Sequence, residues 1–213
     1  MQRSILLTLT FLLLGNLARA ESLAVTVLDQ HGEPLADTVV EIREQRRQLT
    51  PDENAVIDQI NRRFVPMVIA IHPGQSVEFP NSDNVRHHVY SFSDIRQFST
   101  RLYADDPVDP VQFNQAGIAT LGCNIHDSMV GYVYVSEWQH VAVSDERGRL
   151  QLEDLTAFPD TLHVWHPWMD APDNRREIAL PPETPERGDV EITLNVTPPS
   201  QDFGFGALSG DDS

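Results

Sequence analysis

The stretch "GIATLGCNIHDSMVGYVYV", residues 117–135, joins two strand-like segments around the only cysteine in the chain. β-Branched and aromatic residues dominate both ends, and this composition is typical of strands. Between the ends, Cys123, His126 and Met129 are spaced three residues apart. A tight loop between the two strands would bring these three side chains together. The stretch therefore predicts a β-hairpin whose turn presents a thiolate, an imidazole and a thioether to one point.

The chemistry of this donor set favours copper. Thiolate, imidazole and thioether are soft ligands, whereas magnesium and calcium require oxygen ligands. Zinc would accept Cys123 and His126, but a thioether is a poor ligand for it. A lone cysteine has no intrachain disulfide partner, and a free thiol is a liability in an oxidising compartment. Such a cysteine is expected to be buried, paired between chains or occupied by a ligand, and the neighbours of Cys123 favour a metal ion.

A fourth ligand is expected from a second strand, because ligands on two strands fix a site rigidly. The segment "NSDNVRHHVYSF", residues 81–92, offers the adjacent histidines His87 and His88. Two histidines, one cysteine and a weak axial methionine form the ligand set of blue-copper electron-transfer sites. Strand alternation places His87 on the face of Val89 and His88 on the face of Tyr90, and this does not decide between them.

The first twenty residues, "MQRSILLTLTFLLLGNLARA", have the organisation of a secretory signal peptide. Arg3 precedes an apolar run at residues 5–14, and Ala-Arg-Ala at positions 18–20 fits a cleavage site after Ala20. The apolar run is too short for a stable membrane span, and no later segment reaches the required length. The sequence thus predicts a soluble, exported protein located in the periplasm.

The composition is acidic and excludes one class of partner. The chain has 15 Lys+Arg, all of them arginine, against 32 Asp+Glu, which gives a net charge of −17. Removal of Arg3 and Arg19 with the signal peptide would change this to −19. A nucleic-acid partner is therefore not expected. The charge instead predicts long-range attraction to a partner with a positive face, weakened by salt.

Strand patterns separated by Pro, Gly, Asn and Asp cover most of the chain and predict an all-β protein. Leu23, Val25 and Val27 alternate in the first strand, and residues 145–148 read as a turn between two later strands. Many short strands at this spacing are typical of β-sandwiches. Helical candidates are limited to two short polar pieces at residues 43–49 and 94–103, and the tail at residues 198–213 is expected to be disordered.

Residues 64–135 resemble a cupredoxin of the plastocyanin–amicyanin type. "FVPMVIAIHPGQSVEFPNSD", residues 64–83, is similar to that family's strand pair, in which a Gly turn is followed by V-x-F-x-N-x-D. "HHVYSF" stands where the family has its first ligand, and Gly117 precedes Cys123 by the family's six residues. The resemblance implies a cupredoxin Greek-key β-sandwich with one type 1 copper ion.

The resemblance also implies individual roles. The metal ligands would be His87, Cys123, His126 and Met129. His87 is preferred over His88 because the family's histidine precedes an asparagine, and His88 occupies that position. The family's asparagine braces the residue after the cysteine, so His88 is expected to brace Asn124.

The flanking segments resemble a different family. Residues 25–42 and 143–167 are similar to a carboxypeptidase-regulatory-like β-domain, which implies a second, smaller β-sandwich. The predicted organisation is a signal peptide at 1–20, flanking sandwich at 21–46 and 137–197, cupredoxin domain at 55–136 and tail at 198–213. One elongated sandwich without a boundary is the alternative. The whole chain resembles exported proteins labelled "methylamine utilization protein", a label that says little about a role in methylamine metabolism.

These features together predict a periplasmic electron-transfer protein that is not an enzyme. One copper ion, held by two histidines, one cysteine and one methionine, would cycle between Cu(I) and Cu(II). Electrons would leave through the edge of His126, ringed by Ile125, Met129 and Val130, toward a redox partner such as a cytochrome or a dehydrogenase. The alternative is a copper-binding module for storage, delivery or structure, because a simple shuttle does not need a flanking domain.

Overall fold

A computed structural model of the chain describes residues 21–46, 53–104 and 108–199. The predicted signal peptide and nearly all of the predicted tail lie outside these residues. Within them, the chain forms seventeen β-strands, a 3-10 helix at Pro172–Asn174 and one short α-helix, α1, at Thr184–Arg187. The prediction of an all-β protein is confirmed.

The strands are short and follow one another closely. In chain order they are β1 (Glu21–Asp29), β2 (Val39–Arg46), β3 (Ala55–Val56), β4 (Asp58–Ile60), β5 (Arg63–Val65), β6 (Val68–Ile71), β7 (Ser76–Glu78), β8 (Val89–Ser93), β9 (Arg96–Ser99), β10 (Val111–Gln112), β11 (Gly117–Cys123), β12 (His126–Val135), β13 (Trp138–Val143), β14 (Arg149–Leu155), β15 (Thr161–Trp165), β16 (Arg175–Ala179) and β17 (Asp189–Leu194). Pro, Gly and Asn punctuate the connections between them.

The strands near the two ends of the chain form one pair of sheets. One sheet has the order β14–β1–β17 and the other the order β13–β2–β15–β16. The alternating residues Leu23, Val25 and Val27 of β1 are buried between the sheets, as the sequence pattern predicts. Burial of one face of each strand is the usual source of a sandwich's stability.

The strands of the middle segment form a second pair of sheets. A five-stranded sheet has the order β6–β12–β11–β8–β9, and a three-stranded sheet has the order β10–β7–β3. Their shared core contains Leu121, Cys123 and Met129. The hairpin of β4 and β5 inserts Phe64 against Gly131, where a Cβ atom would lie only 3.0 Å from the ring. Any larger residue at position 131 would force Phe64 to shift.

A third apolar cluster lies between the two pairs of sheets. Trp165 of β15 contacts Tyr132 and Tyr134 of β12, with ring centroids 5.6 Å apart in each case. Val39 and Val68 complete the buried part of the cluster. Beside it, the Ser136 hydroxyl donates a 2.6 Å hydrogen bond to Glu41, so polar contacts also join the two pairs. Among the described residues, the two pairs share no sheet.

The predicted turn at residues 145–148 is present and depends on glycine. The backbone N–H of Gly148 donates to the carbonyl of Asp145 at 2.8 Å. Gly148 has a φ of +69°, and a Cβ atom there would lie 2.3 Å from the carbonyl oxygen of Val27. Both the backbone angle and the close approach exclude other residues at this position.

Neither of the two helical candidates forms a helix in the described residues. Residues 94–103 contain β9, which pairs with β8 in an antiparallel hairpin, and residues 43–46 continue β2. Pairing with a neighbouring strand outweighs the weak local helical preference of these polar pieces. Residues 47–49 lie outside the described part of the chain. The sequence pattern also did not indicate β4, β5 and β16. No helix in the described residues is long and apolar enough to cross a membrane.

We expect Trp165→Ala to lower the free energy of unfolding by about 3–5 kcal/mol, because it removes a buried indole. Urea denaturation of the metal-free protein measures this change. Trp138→Ala is the matched control, since Trp138 is only partly buried and stacks on Arg46. Trp138→Ala should lower the free energy of unfolding by only about 1 kcal/mol. Equal losses in the two variants would contradict the packing of Trp165 between the two pairs of sheets.

Candidate metal centre

The hairpin of β11 and β12 closes in an irregular register. Cys123 lies opposite His126, so only residues 124 and 125 form the turn, yet Gly122 lies opposite Val130. Residues 127–129 therefore have no partner in β11. Such an insertion bends a strand and redirects its side chains. A two-residue turn and a bulge thus stand where the sequence predicted a single loop. The second strand begins at His126, whereas the sequence predicted that it begins at Val130.

The three predicted side chains differ in burial. Cys123 and Met129 are 3% and 1% exposed and belong to one apolar cluster. His126 is half-buried at the end of the sheet. A thiol and a thioether thus face the core, while an imidazole lies at the boundary with solvent. The placement of Met129 agrees with an inward-facing thioether, and its role as a ligand stays a prediction.

His87 reaches the same place from the strand beside β11. Its backbone exchanges two 2.9 Å hydrogen bonds with Tyr103, one through each residue's N–H. Val89, two residues later, pairs with Cys123 and is buried. Because alternate residues of an extended segment share a face, His87 also points inward and is fully buried.

His87, Cys123 and His126 lie close enough to share one ion. The Nδ1 atom of His87 is 3.6 Å from Sγ of Cys123, and Nδ1 of His126 is 3.9 Å from the same sulfur. All three donor atoms lie within 4.8 Å of one another. A metal bound to nitrogen at about 2.0 Å and to sulfur at about 2.3 Å spaces two such donors at roughly 3.5–4 Å. Both nitrogen–sulfur distances therefore fit a shared metal ion.

His88 faces away from this cluster. Its Nε2 atom is 2.8 Å from the hydroxyl of Ser99, and its ring packs beside Tyr90 at 5.9 Å. Its Nδ1 atom has no hydrogen-bond partner among the described residues. The expectation that His88 braces Asn124 is therefore wrong, because the outward face of β8 directs the ring toward β9.

Asp83 is the residue near this centre that the sequence did not single out. Its Oδ2 atom lies 2.8 Å from Nε2 of His87 and accepts a 2.8 Å hydrogen bond from the backbone N–H of Arg62. Its Oδ1 atom accepts from the backbone N–H of Asn61 at 2.8 Å. The available signal was the N-x-D pattern at residues 81–83, which places a carboxylate four residues before a histidine.

Electrostatics favour an ionised Asp83 and a neutral His126. Burial alone would raise the pKa of the Asp83 carboxyl, but hydrogen bonds from the backbone of Arg62, from His87 and from the backbone of Asn61 hold it below its ordinary value. Partial burial, together with the charges of His87 and Arg62, lowers the pKa of His126. The neutral imidazole is the form that binds metals.

Comparison with known proteins found similarity only at the level of solved structures. No protein-family model matches the chain, and no curated protein matches it. Amicyanin from Paracoccus versutus is similar at 23% identity and a TM-score of 0.36, over 41% of this chain and 85% of that one. A reduced Cu(I) form of an amicyanin variant matches at 19% identity and a TM-score of 0.37, over 41% and 86% of the two chains.

A purple cupredoxin from Nitrosopumilus maritimus is similar at 25% identity and a TM-score of 0.36, over 39% of this chain and all of that one. Cupredoxins, the family that residues 64–135 resemble in sequence, are thus among the similar solved structures. At these scores the likeness does not by itself fix the fold of this chain. Strand pairing and side-chain placement do so.

Replacement of His87 and His88 in turn tests which histidine belongs to the centre. We expect His87→Ala to weaken Cu(I) binding by more than about 100-fold. Replacement of a residue that only supports a ligand costs about 10- to 100-fold in affinity, so a larger loss indicates a ligand. His88→Ala should leave the affinity nearly unchanged, because its ring faces Ser99. Competition with a Cu(I) chelator measures both, with circular dichroism as the check on folding. A greater loss in His88→Ala would overturn the placement of His87.

Proposed function

We propose that this chain is an electron-transfer protein that holds one copper ion through His87, Cys123, His126 and Met129. The convergence of His87, Cys123 and His126 supports this most directly, because a buried thiol with two imidazoles within 4 Å is a soft donor set. Met129 is proposed as the weak axial donor because its thioether is buried in the same cluster as Cys123.

Each residue has a definite task in this proposal. Cys123 binds as the thiolate, since coordination removes the thiol proton. His87 keeps its proton on Nε2 toward Asp83, which leaves the lone pair of Nδ1 directed at the centre. His126 binds through Nδ1, the atom nearest the sulfur. Copper held in this way would supply one-electron chemistry between Cu(I) and Cu(II).

The surroundings favour electron exchange at the His126 edge. Ile125 and Val130 are 49% and 38% exposed, so apolar surface flanks the half-buried imidazole. The sequence predicted that Met129 also belongs to this surface, and that prediction is wrong because Met129 is buried. A small apolar patch of this kind suits a brief contact with another protein. An enzymatic reaction is not part of this proposal, since electron exchange at a protein surface needs no substrate pocket.

The cellular setting is also part of the proposal. The signal-peptide pattern of residues 1–20 supports export to the periplasm. The net charge of −17 supports a redox partner, such as a cytochrome or dehydrogenase, with a positive docking face. The separate sheets support an inserted cupredoxin domain at 55–136, flanked by a second sandwich formed from 21–46 and 137–197.

Copper loading followed by spectroscopy tests the proposed function. We expect the loaded protein to show an intense thiolate-to-copper absorption band and repeated, reversible oxidation and reduction by voltammetry. Cys123→Ser should abolish the band because it removes the thiolate. Met129→Leu should keep the band and shift the reduction potential, because only a weak axial donor is lost.

Two results would contradict the proposal. A band unchanged in Cys123→Ser would mean that the thiolate is not a ligand. A colourless protein that retains Cu(I) or zinc without reversible cycling would favour the storage, delivery or structural module instead.

A further inference from the structure

We propose that Asp83 is a positioning residue whose carboxylate fixes the His87 ring and lowers the reduction potential of the centre. This inference rests on the proposed function, because a potential requires bound copper. It adds a residue to the site outside the four proposed ligands, and it assigns a role to the β4–β5 hairpin.

The His87 ring is held at two points. Its backbone is paired with Tyr103 in both directions, so the start of the side chain is fixed. Its Nε2 atom is held 2.8 Å from Oδ2 of Asp83. Together these contacts leave one orientation in which Nδ1 faces the sulfur of Cys123 at 3.6 Å. Apart from this contact, no hydrogen bond within the described residues holds the Nε2 edge of the ring.

The carboxylate of Asp83 is itself fixed. Asn61 and Arg62 have φ values of 52° and 58°, which is the conformation of a two-residue type I′ hairpin turn. Their two backbone N–H groups point at the two carboxylate oxygens, each at 2.8 Å. The N–H of Asp83 donates to Oδ1 of Asn81 at 3.0 Å. The turn between β4 and β5 thus holds the carboxylate of Asp83 in one position.

The negative charge of Asp83 gives its contact with His87 an effect on the metal that packing alone would not have. A carboxylate that accepts the Nε2 proton pulls it away from the ring and makes Nδ1 a stronger donor. The side chain of Asp83 is only 11% exposed, so water screens the interaction weakly. A stronger donor and a nearby negative charge both favour Cu(II) over Cu(I), and therefore lower the reduction potential. An asparagine would keep the shape of the side chain but lose its charge.

Asp83→Asn is the direct test, and Asp127→Asn is its control. Asp127 is exposed and lies between His126 and Met129 in the bulge. Both variants lose one negative charge near the centre. We expect Asp83→Asn to raise the potential clearly more than Asp127→Asn and to weaken Cu(II) binding by about 10- to 100-fold. Equal shifts in the two variants would overturn the inference.

A measurement on the unaltered protein keeps the inference testable if Asp83→Asn fails to fold. In the diamagnetic Cu(I) form, the Nε2 proton of His87 should exchange slowly with water in nuclear magnetic resonance spectra, because it is buried and hydrogen-bonded. The ring proton of the half-buried His126 should exchange faster. Equally fast exchange of both protons would overturn the inference.

The two proposals fail in different ways. If the unaltered protein lacks the thiolate-to-copper band, the proposed function fails, whatever the Asp83 variants do. If the band is present and the potentials of the Asp83 and Asp127 variants coincide, only the role of Asp83 fails.

Discussion

The irregular register between β11 and β12 is the constraint on which the centre depends. Cys123 faces His126 while Gly122 faces Val130, so three residues must bulge out of the ladder. In a regular hairpin, residue 129 would lie opposite Cys123, and His126 would lie farther along the turn. Met129 is buried by the same alternation that buries Gly131 and Val133. The bulge acts on His126, which it places opposite Cys123 at the rim of the sheet.

The pairing of β8 with β11 explains by simple alternation why His87 lies at the centre. Val89 lies opposite Cys123, and His87 precedes it by two residues on the same face. Tyr103 anchors the backbone of His87, and Asp83 anchors its ring. Sites that are held by a second layer of contacts keep their geometry better than sites on free loops. An electron carrier benefits from this rigidity, since little movement then accompanies a change of charge.

Sequence reasoning named three side chains that the fold brings together, His87, Cys123 and His126, but not the contacts that hold them in place. The spacing of Cys123, His126 and Met129 is local, so it is visible in the sequence. The choice of His87 rested on family resemblance, because alternation alone could not show which face of β8 is inward. Asp83 escaped notice because its contacts come from the β4–β5 turn, whose strands are three residues each and carry no clear pattern. The strand β9 was missed for a similar reason, since only its partner reveals it.

The strand β12 connects the centre with the flanking sheets and also keeps them apart. It begins at His126, while its contacts with Trp165 are made by Tyr132 and Tyr134. Along an extended strand, Tyr134 lies about 17 Å beyond Met129. The described contacts of the flanking sheets thus fall toward the far end of β12, and His126 keeps its exposed edge. A flanking sandwich placed in this way does not shield the centre, so its presence is compatible with an electron carrier.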